Sequence, residues 1–382
     1  MPTYARRMAF RPQRAAAGGV FTIAILAVGV YLATKPAPKE PEKAPAPPAP
    51  AAASPTPKVP ALSNPDIRFG VSEIPTKAPG TFRLTTWNIE NLFDDKDDPA
   101  NNWGDELAST KPQAHRDAAG AAIKRLDPDV LALEEIESAD ALKWFLADQK
   151  LTEIYPHVVS LDAGDGRGIE QAVISKFPLS GARNWPDRTL SDKHPDLLSD
   201  GKPNPDFDKP IKMARSPLVV DVTVPGSFAG TGKPYVLTLM VIHSKSGRGY
   251  AFQREAEARR LVELVKELTK ENPARNLAVL GDFNARKVDL SFQTYTSVDP
   301  SGGGLFDVFG DVNPGDPRVQ SHVTNRIIDH ILLNQAAKPE FIGSSRFVYA
   351  MPLPPSNPFD APKPAGYASD HLPVSIDLKP VD

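Results

Sequence analysis

Cysteine is absent from all 382 residues. That excludes disulfides, thiolate metal sites and a cysteine nucleophile, and it removes the residue on which a lipoprotein anchor is built. No internal repeat of useful length is visible. The bulk of the chain also lacks a positive surplus. Residues 1–66 hold 8 basic and 3 acidic side chains, leaving 36 basic against 44 acidic and a net charge of −8 for residues 67–382. A domain of that sign has no general attraction for a phosphate backbone, so nucleic-acid binding there needs a local basic patch or a metal. At 41% hydrophobic residues, the length suffices for one large globular domain with appendages.

What is present begins at the N-terminus. Arg6, Arg7, Arg11 and Arg14 precede an uncharged, largely apolar stretch from Ala15 to Thr34. About 20 helical residues reach roughly the 30 Å of a bilayer core. The arginines place residues 1–14 in the cytoplasm by the positive-inside rule, and residues 15–34 read as an uncleaved transmembrane anchor. A cleaved signal peptide is the competing reading; its apolar core would be unusually long, and Tyr31 spoils the Ala-x-Ala site ending at Ala33. Residues 35–66 are dominated by proline and alanine, a semi-rigid spacer that at ~3.1 Å per residue reaches up to ~95 Å from the membrane. The expected placement is a single-pass inner-membrane protein with its main domain periplasmic, or secreted if the segment is cleaved.

Residues 67–382 have globular patterning. Phe82–Trp87, Val130–Leu133, Ala172–Ile174, Leu218–Val224, Tyr235–Ile242, Leu277–Leu280, Ile327–Leu333, Phe341–Tyr349 and Val374–Leu378 read as strands. Thr110–Leu126, Ala139–Gln149 and Tyr250–Thr269 read as helices, the last with Ala258, Leu261, Val265 and Leu268 at core spacing. Consecutive strands without intervening helices predict mixed sheets. Asp94–Ser109 and Trp185–Met213 are long and irregular, as functional or mobile loops are.

Five polar clusters close probable strands: Thr86-Trp87-Asn88-Ile89-Glu90-Asn91, Leu133-Glu134-Glu135, Val241-Ile242-His243-Ser244, Gly281-Asp282-Phe283-Asn284 and Ser369-Asp370-His371. Strand ends are where a sheet delivers side chains to a ligand crevice. Oxygen ligands together with two histidines suit a hard divalent ion and proton transfer at phosphate. The acidic run Asp94, Asp95, Asp97, Asp98 lacks the spacing of a calcium loop and reads as a solvated turn. His115, His157, His194 and His322 stand in no motif and receive no role.

With Ile328-Asp329-His330-Ile331 added, these motifs, in this order, resemble the endonuclease/exonuclease/phosphatase superfamily over about residues 80–380. The resemblance implies an α/β four-layer sandwich, two packed mixed sheets flanked by helices. It implies Glu135 as the main Mg²⁺ ligand, with Asn88 and Asp370 beside it directly or through water, and Mn²⁺ or Ca²⁺ as alternatives. His371 paired with Asp329 is implied as the base that activates water, with Asp282 and Asn284 positioning that water and a phosphate oxygen; some accounts of the family make the aspartate the base. Gly168-Ile169-Glu170-Gln171 resembles the segment that, in the deoxyribonuclease I-like branch, supports a second histidine. His243 with Glu170 is then a protonated pair donating to the leaving 3′ oxygen. Many members carry Gln where this chain has Glu134, which strand alternation would turn away from the metal.

Lys245, Arg248 and Arg254, with Arg167, Arg215 and Arg286, supply the local basic patch that an acidic domain needs to hold nucleic acid, although each alone reads as a solvated surface cation. The expected function is a membrane-tethered extracytoplasmic Mg²⁺-dependent endonuclease on DNA or RNA, with no protein partner. A sphingomyelinase-like phospholipid phosphodiesterase is the alternative, with Phe341–Pro355 apolar enough to enter a bilayer. A non-catalytic envelope scaffold is the third reading.

Overall fold

The computed structural model describes residues 65–97, 107–185, 187–297, 304–355 and 361–381. The expected cytoplasmic segment, the anchor and nearly all of the spacer lie outside the described residues. Among the described residues no helix is long and apolar enough to cross a membrane.

Strands are β1 (Phe82–Leu92), β2 (Val130–Ile136), β3 (His157–Ser160), β4 (Glu170–Ser175), β5 (Leu179–Arg183), β6 (Thr189–Lys193), β7 (Pro210–Lys212), β8 (Leu218–Val224), β9 (Tyr235–His243), β10 (Asn276–Asp282), β11 (Phe306–Asp307), β12 (Asp329–Leu333), β13 (Phe347–Val348) and β14 (Val374–Leu378). Helices are α1 (Gln113–Leu126), α2 (Ala139–Asp148), α3 (Gly226–Ala229), α4 (Ala251–Glu271) and α5 (Leu290–Thr296). Six strands form one sheet in the order β13-β14-β1-β2-β4-β3, six form a second in the order β11-β12-β10-β9-β8-β5, and β6-β7 is a separate hairpin. Both large sheets are mixed: β1 is parallel to β2 but antiparallel to β14, and β10 is parallel to β9 but antiparallel to β12.

Period-2 patterning stacks the layers. On β9, Leu237, Leu239 and Val241 join the core shared with the first sheet, whereas Met240 and Ile242 pack with Ala258, Leu261 and Val265 of α4. β10 divides the same way, Ala278 and Leu280 inward, Leu277 and Val279 toward the helices. Because successive strand side chains point to opposite faces, a strand covered on both sides must be apolar at every position. The first sheet takes its outer cover from Ile123 of α1 and Leu142 and Phe145 of α2. The result is two packed mixed sheets flanked by helices.

Three expectations are corrected. Phe341–Tyr349 is not one strand: a 3-10 turn at Gly343–Ser345 interrupts it, leaving Phe347–Val348 as a strand and Phe341 as a single bridge to Leu378. Ser345 Oγ closes that turn by donating to Ile342 O at 2.6 Å. The irregular Trp185–Met213 stretch contains the β6-β7 hairpin. Helix α1 starts at Gln113, behind Pro112 at its N-cap.

Candidate active site

Strand register gathers the site. Asn88 on β1 lies opposite Glu134 on β2, and in the second sheet Asp282 on β10 lies opposite His243 on β9 and Asp329 on β12. Since β14 runs antiparallel to β1 with Val374 opposite Thr86, the residues just before it return beside Asn88. Ser369 Oγ donates to Asn88 O at 2.7 Å, and Trp87 Nε1 donates to His371 O at 3.1 Å. Those two motif residues are struts that tie the first polar cluster to the last.

A bulge breaks alternation at Glu135. Pairing on both sides of β2 jumps from Glu134 to Ile136, and Glu135 has φ +65°. A bulge leaves one residue unpaired and re-aims its side chain. Glu134 does not simply face away from the site. It is fully buried, accepts from Thr86 Oγ1 at 2.9 Å, and is pushed well above the ordinary carboxyl range by burial and by the charges of Asp329 and Asp282. Gly281 is required above it: a Cβ there would lie 2.0 Å from Ile242 O and 3.0 Å from Glu134 Oε1, at φ +133°.

His371 Nδ1 lies 3.0 Å from each oxygen of Asp329, so the carboxylate fixes the ring and leaves Nε2 toward the site. Burial opposes the charged ring, but Asp329, Asp282 and Asp370 together hold His371 well above its ordinary range. Nε2 faces Asp282 Oδ2 at 3.8 Å and Asp370 Oδ1 at 3.9 Å. Asp282 accepts from Asn284 N at 2.8 Å, Asn284 Nδ2 at 3.0 Å and Asn88 Nδ2 at 3.3 Å. Burial, opposed by His371 and helped by Asp329 and Glu135, raises Asp282 to about 7. Asn284 does not continue an extended segment; at φ +48° it folds its amide back onto Asp282.

Glu135 Oε1 accepts from Asn88 Nδ2 at 3.2 Å and its Oε2 from Asn91 N at 3.1 Å, with Arg167 at 3.7 Å. Asn88 Oδ1 is itself occupied by Glu90 N at 3.0 Å, so Asn88 orients Glu135 more directly than it offers a ligand atom. Burial raises Asp370, yet His371 and His322 hold it well below the carboxylate range. Glu135 and Asp370 thus bring carboxylate oxygens to the same edge as Asp282, a donor type that fits a hard divalent cation. Two tighter groups, Asp282-Asp329-His371 and His322-Asp370-His371, have ligand atoms within 4.8 Å of one another. His371 belongs to both, and its Nδ1 is bonded to Asp329, so only its Nε2, 3.8 Å from Asp282 and 3.9 Å from Asp370, is left toward the other members of either group.

The expected pairing of His243 with Glu170 does not form. Glu170 is bonded by Ser160 Oγ, and burial raises it to about 7. Parity on β4 explains this: Gln171, the next residue, occupies the face toward β9, where the amide orientation that satisfies both neighbours donates to Ser216 O at 3.1 Å and accepts from His243 N at 3.3 Å. His243 Nδ1 has no partner among the described residues, and burial with the charge of Arg215 lowers the ring well below its ordinary range. It is a neutral imidazole whose Nε2 faces Asp282 at 3.5 Å and Glu135 at 3.8 Å.

The basic patch is also redrawn. Arg254 is buried and donates to Lys245 O at 3.0 Å and Gly247 O at 2.9 Å, bracing the loop after His243. Arg215 is buried against Asp165 at 3.1 Å, and Arg286 pairs with Asp289 at 3.0 Å. Arg248 is exposed. Lys245 lines a groove of about 500 Å³ whose other walls carry Arg188, Lys209 and Lys212, from the irregular stretch that contains the β6-β7 hairpin, together with Asp165 and with Asp206, which pairs with Lys209. Sequence reasoning missed Lys111 as well, whose buried ammonium donates to Glu90 O at 2.7 Å and is lowered to about 8 by burial. Standing before a helix, it gives no signal in the sequence. Tyr367 OH bonds Glu90 beside it at 2.5 Å.

A family model described as the endonuclease/exonuclease/phosphatase family matches residues 85–371. No curated protein matches. Among solved structures, the human Nocturnin catalytic domain with bound sulfate is 15% identical, covers 79% of this chain and 95% of its own, and superposes with a TM-score of 0.46. Truncated Caenorhabditis elegans TDP2 is 14% identical over 78% of this chain and 98% of its own, with a TM-score of 0.48. An endonuclease/exonuclease/phosphatase from Bacteroides vulgatus is 14% identical over 78% and 98%, with a TM-score of 0.45.

Proposed function

This chain belongs to the endonuclease/exonuclease/phosphatase family, and from that premise we propose that it is a divalent-metal-dependent phosphodiester hydrolase, an endonuclease of DNA or RNA. The observation that carries the reading is the buried His371–Asp329 pair set against Asp282, two titratable groups with displaced protonation at the edge of an oxygen-donor cluster. Glu135 and Asp370 would hold Mg²⁺, or Mn²⁺ or Ca²⁺ in its place, with Asn88 orienting Glu135. When bound, the cation supplies Lewis-acid neutralisation of phosphate charge. In the proposed reaction Asn284 and Asp282 hold the attacking water, and Asp282, titrating near neutrality, takes its proton. As the water oxygen bonds to phosphorus the P–O bond to the leaving oxygen breaks, that oxygen taking a proton from solvent, while the His371 imidazolium, kept charged by Asp329, stabilises a phosphate oxygen as negative charge builds. Neutral His243 offers an Nε2 hydrogen to the same phosphate. The groove lined by Lys245, Lys212 and Arg188 would take the neighbouring backbone, which answers the lack of long-range attraction in an acidic domain.

The lipid reading is disfavoured because, of the apolar side chains in the segment it requires, Phe347, Val348, Met351 and Leu353 are buried and Phe341, Ile342 and Tyr349 are half-buried, so none projects freely to enter a bilayer. Incubation of the purified protein with plasmid, RNA and sphingomyelin should give nucleic-acid cleavage with Mg²⁺ and none with EDTA. Cleavage of sphingomyelin alone would replace the nuclease reading, and inertness toward all three would favour the scaffold.

The tether is a proposal from sequence, supported by Arg6, Arg7, Arg11 and Arg14 ahead of the apolar stretch. A reporter active only outside the cytoplasm, fused after Pro65, should be active. A silent reporter would refute the topology, and a mature N-terminus downstream of Thr34 would replace the anchor with a cleaved signal.

A further inference from the structure

His322 was given no role by its sequence context, yet it stands against both residues of the Asp370-His371 motif. Backbone pairing puts it there: His322 and His371 form an antiparallel bridge, and Val323 N donates to Asp370 O at 2.8 Å. The ring packs edge-on against His371, centroids 4.5 Å apart at 71°. Thr324 N donates to His322 Nδ1 at 3.1 Å, so Nδ1 is an acceptor and the ring's hydrogen sits on Nε2. Nε2 faces Asp370 Oδ2 at 3.5 Å. That hydrogen is aimed at the carboxylate and occupies the position a metal would need, so the ring faces Asp370 with its N–H and is not a ligand itself. The other oxygen, Oδ1, is left toward His371 Nε2.

We propose that His322 is a positioning residue for Asp370, holding one carboxylate oxygen so that the other is presented to the cation in a single orientation. The inference rests on reading Asp370 as a cation ligand. Partners that orient metal ligands typically account for about 10–100-fold in metal affinity.

His322→Phe keeps a ring against His371 but removes the donor, whereas His322→Gln restores an N–H at the reach of Nε2. Mg²⁺ binding to the metal-free full chain, followed by titration calorimetry beside melting temperature, is the measurement. His322→Phe should weaken binding about 10–100-fold at nearly unchanged melting temperature, and His322→Gln should recover most of it. Wild-type affinity in His322→Phe overturns the proposal, as does equal weakening in both variants accompanied by a lower melting temperature. Wild-type protein that binds no Mg²⁺, or binds it undiminished in Glu135→Ala, refutes the cation reading on which the proposal stands, an outcome distinct from loss of His322's role alone.

Discussion

His371→Ala is expected to lower kcat on DNA or RNA by about 10²–10⁴-fold while leaving the melting temperature close to that of the parent. The ring is buried at a strand entrance, but its polar edge faces the site, so truncation removes charge and a donor more than packing. Its pH dependence distinguishes this role from a purely structural one. Asp282 must be ionised to accept a proton, so the rate should climb as pH rises through about 7. His371 must be protonated, and because Asp329 raises its pKa, the charged form persists above the ordinary histidine range and is lost only as pH rises through that higher value. The profile is therefore a bell whose falling limb belongs to His371. Asp329→Asn removes the leading favourable charge and should move that limb to lower pH. An unshifted limb in Asp329→Asn, or near-parental turnover in His371→Ala at an unchanged melting temperature, would show the assignment to be wrong.

The parts of this site that were legible in sequence are those fixed by strand ends. Asn88 follows the apolar start of β1, Asp282 ends β10 and Asp370-His371 precede β14, and parallel pairing of β1 with β2 and of β10 with β9, with β14 antiparallel to β1, brings them to one edge whatever the loops do. What could not be read depends on register. Whether Glu170 or Gln171 faces His243 is a matter of parity on β4, and parity is set by pairing with β2 across a bulge. That same bulge turns Glu135 out of simple alternation. His322 reaches Asp370 through a single backbone bridge, a contact about 50 residues long in sequence that no local pattern announces. Arg254 is different, because its signal was present. It lies four residues before Ala258 and seven before Leu261, on the core stripe of α4, and a cation in that stripe is buried and bonded before it is available to substrate. The break at Gly343–Ser345 was likewise visible as a small polar triplet inside an apolar run.

Replacing Glu135 by Gln keeps size and shape and removes only charge, so it isolates what the oxygen cluster is for. The carboxylate is oriented by Asn88 Nδ2 and Asn91 N, and Gln can keep one of those two bonds with its remaining oxygen. The fold should be indifferent, since Glu135 is a bulged, partly exposed residue outside the apolar core. If its charge serves a cation, Glu135→Gln should cut turnover by about 10²-fold or more, and raising Mg²⁺ should recover part of the loss. Two outcomes would contradict this. Full activity would mean that Glu135 is a solvated strand-end carboxylate held by Arg167. A loss that no Mg²⁺ concentration relieves, joined to a lower melting temperature, would mean that the charge balances Arg167 and the buried Lys111, which the site's electrostatics already link to Glu135. Lys111→Met separates the two accounts. If Glu135 mainly balances Lys111, the double variant should regain the stability that Glu135→Gln lost; if it mainly serves the cation, the two effects on Mg²⁺ dependence should remain independent.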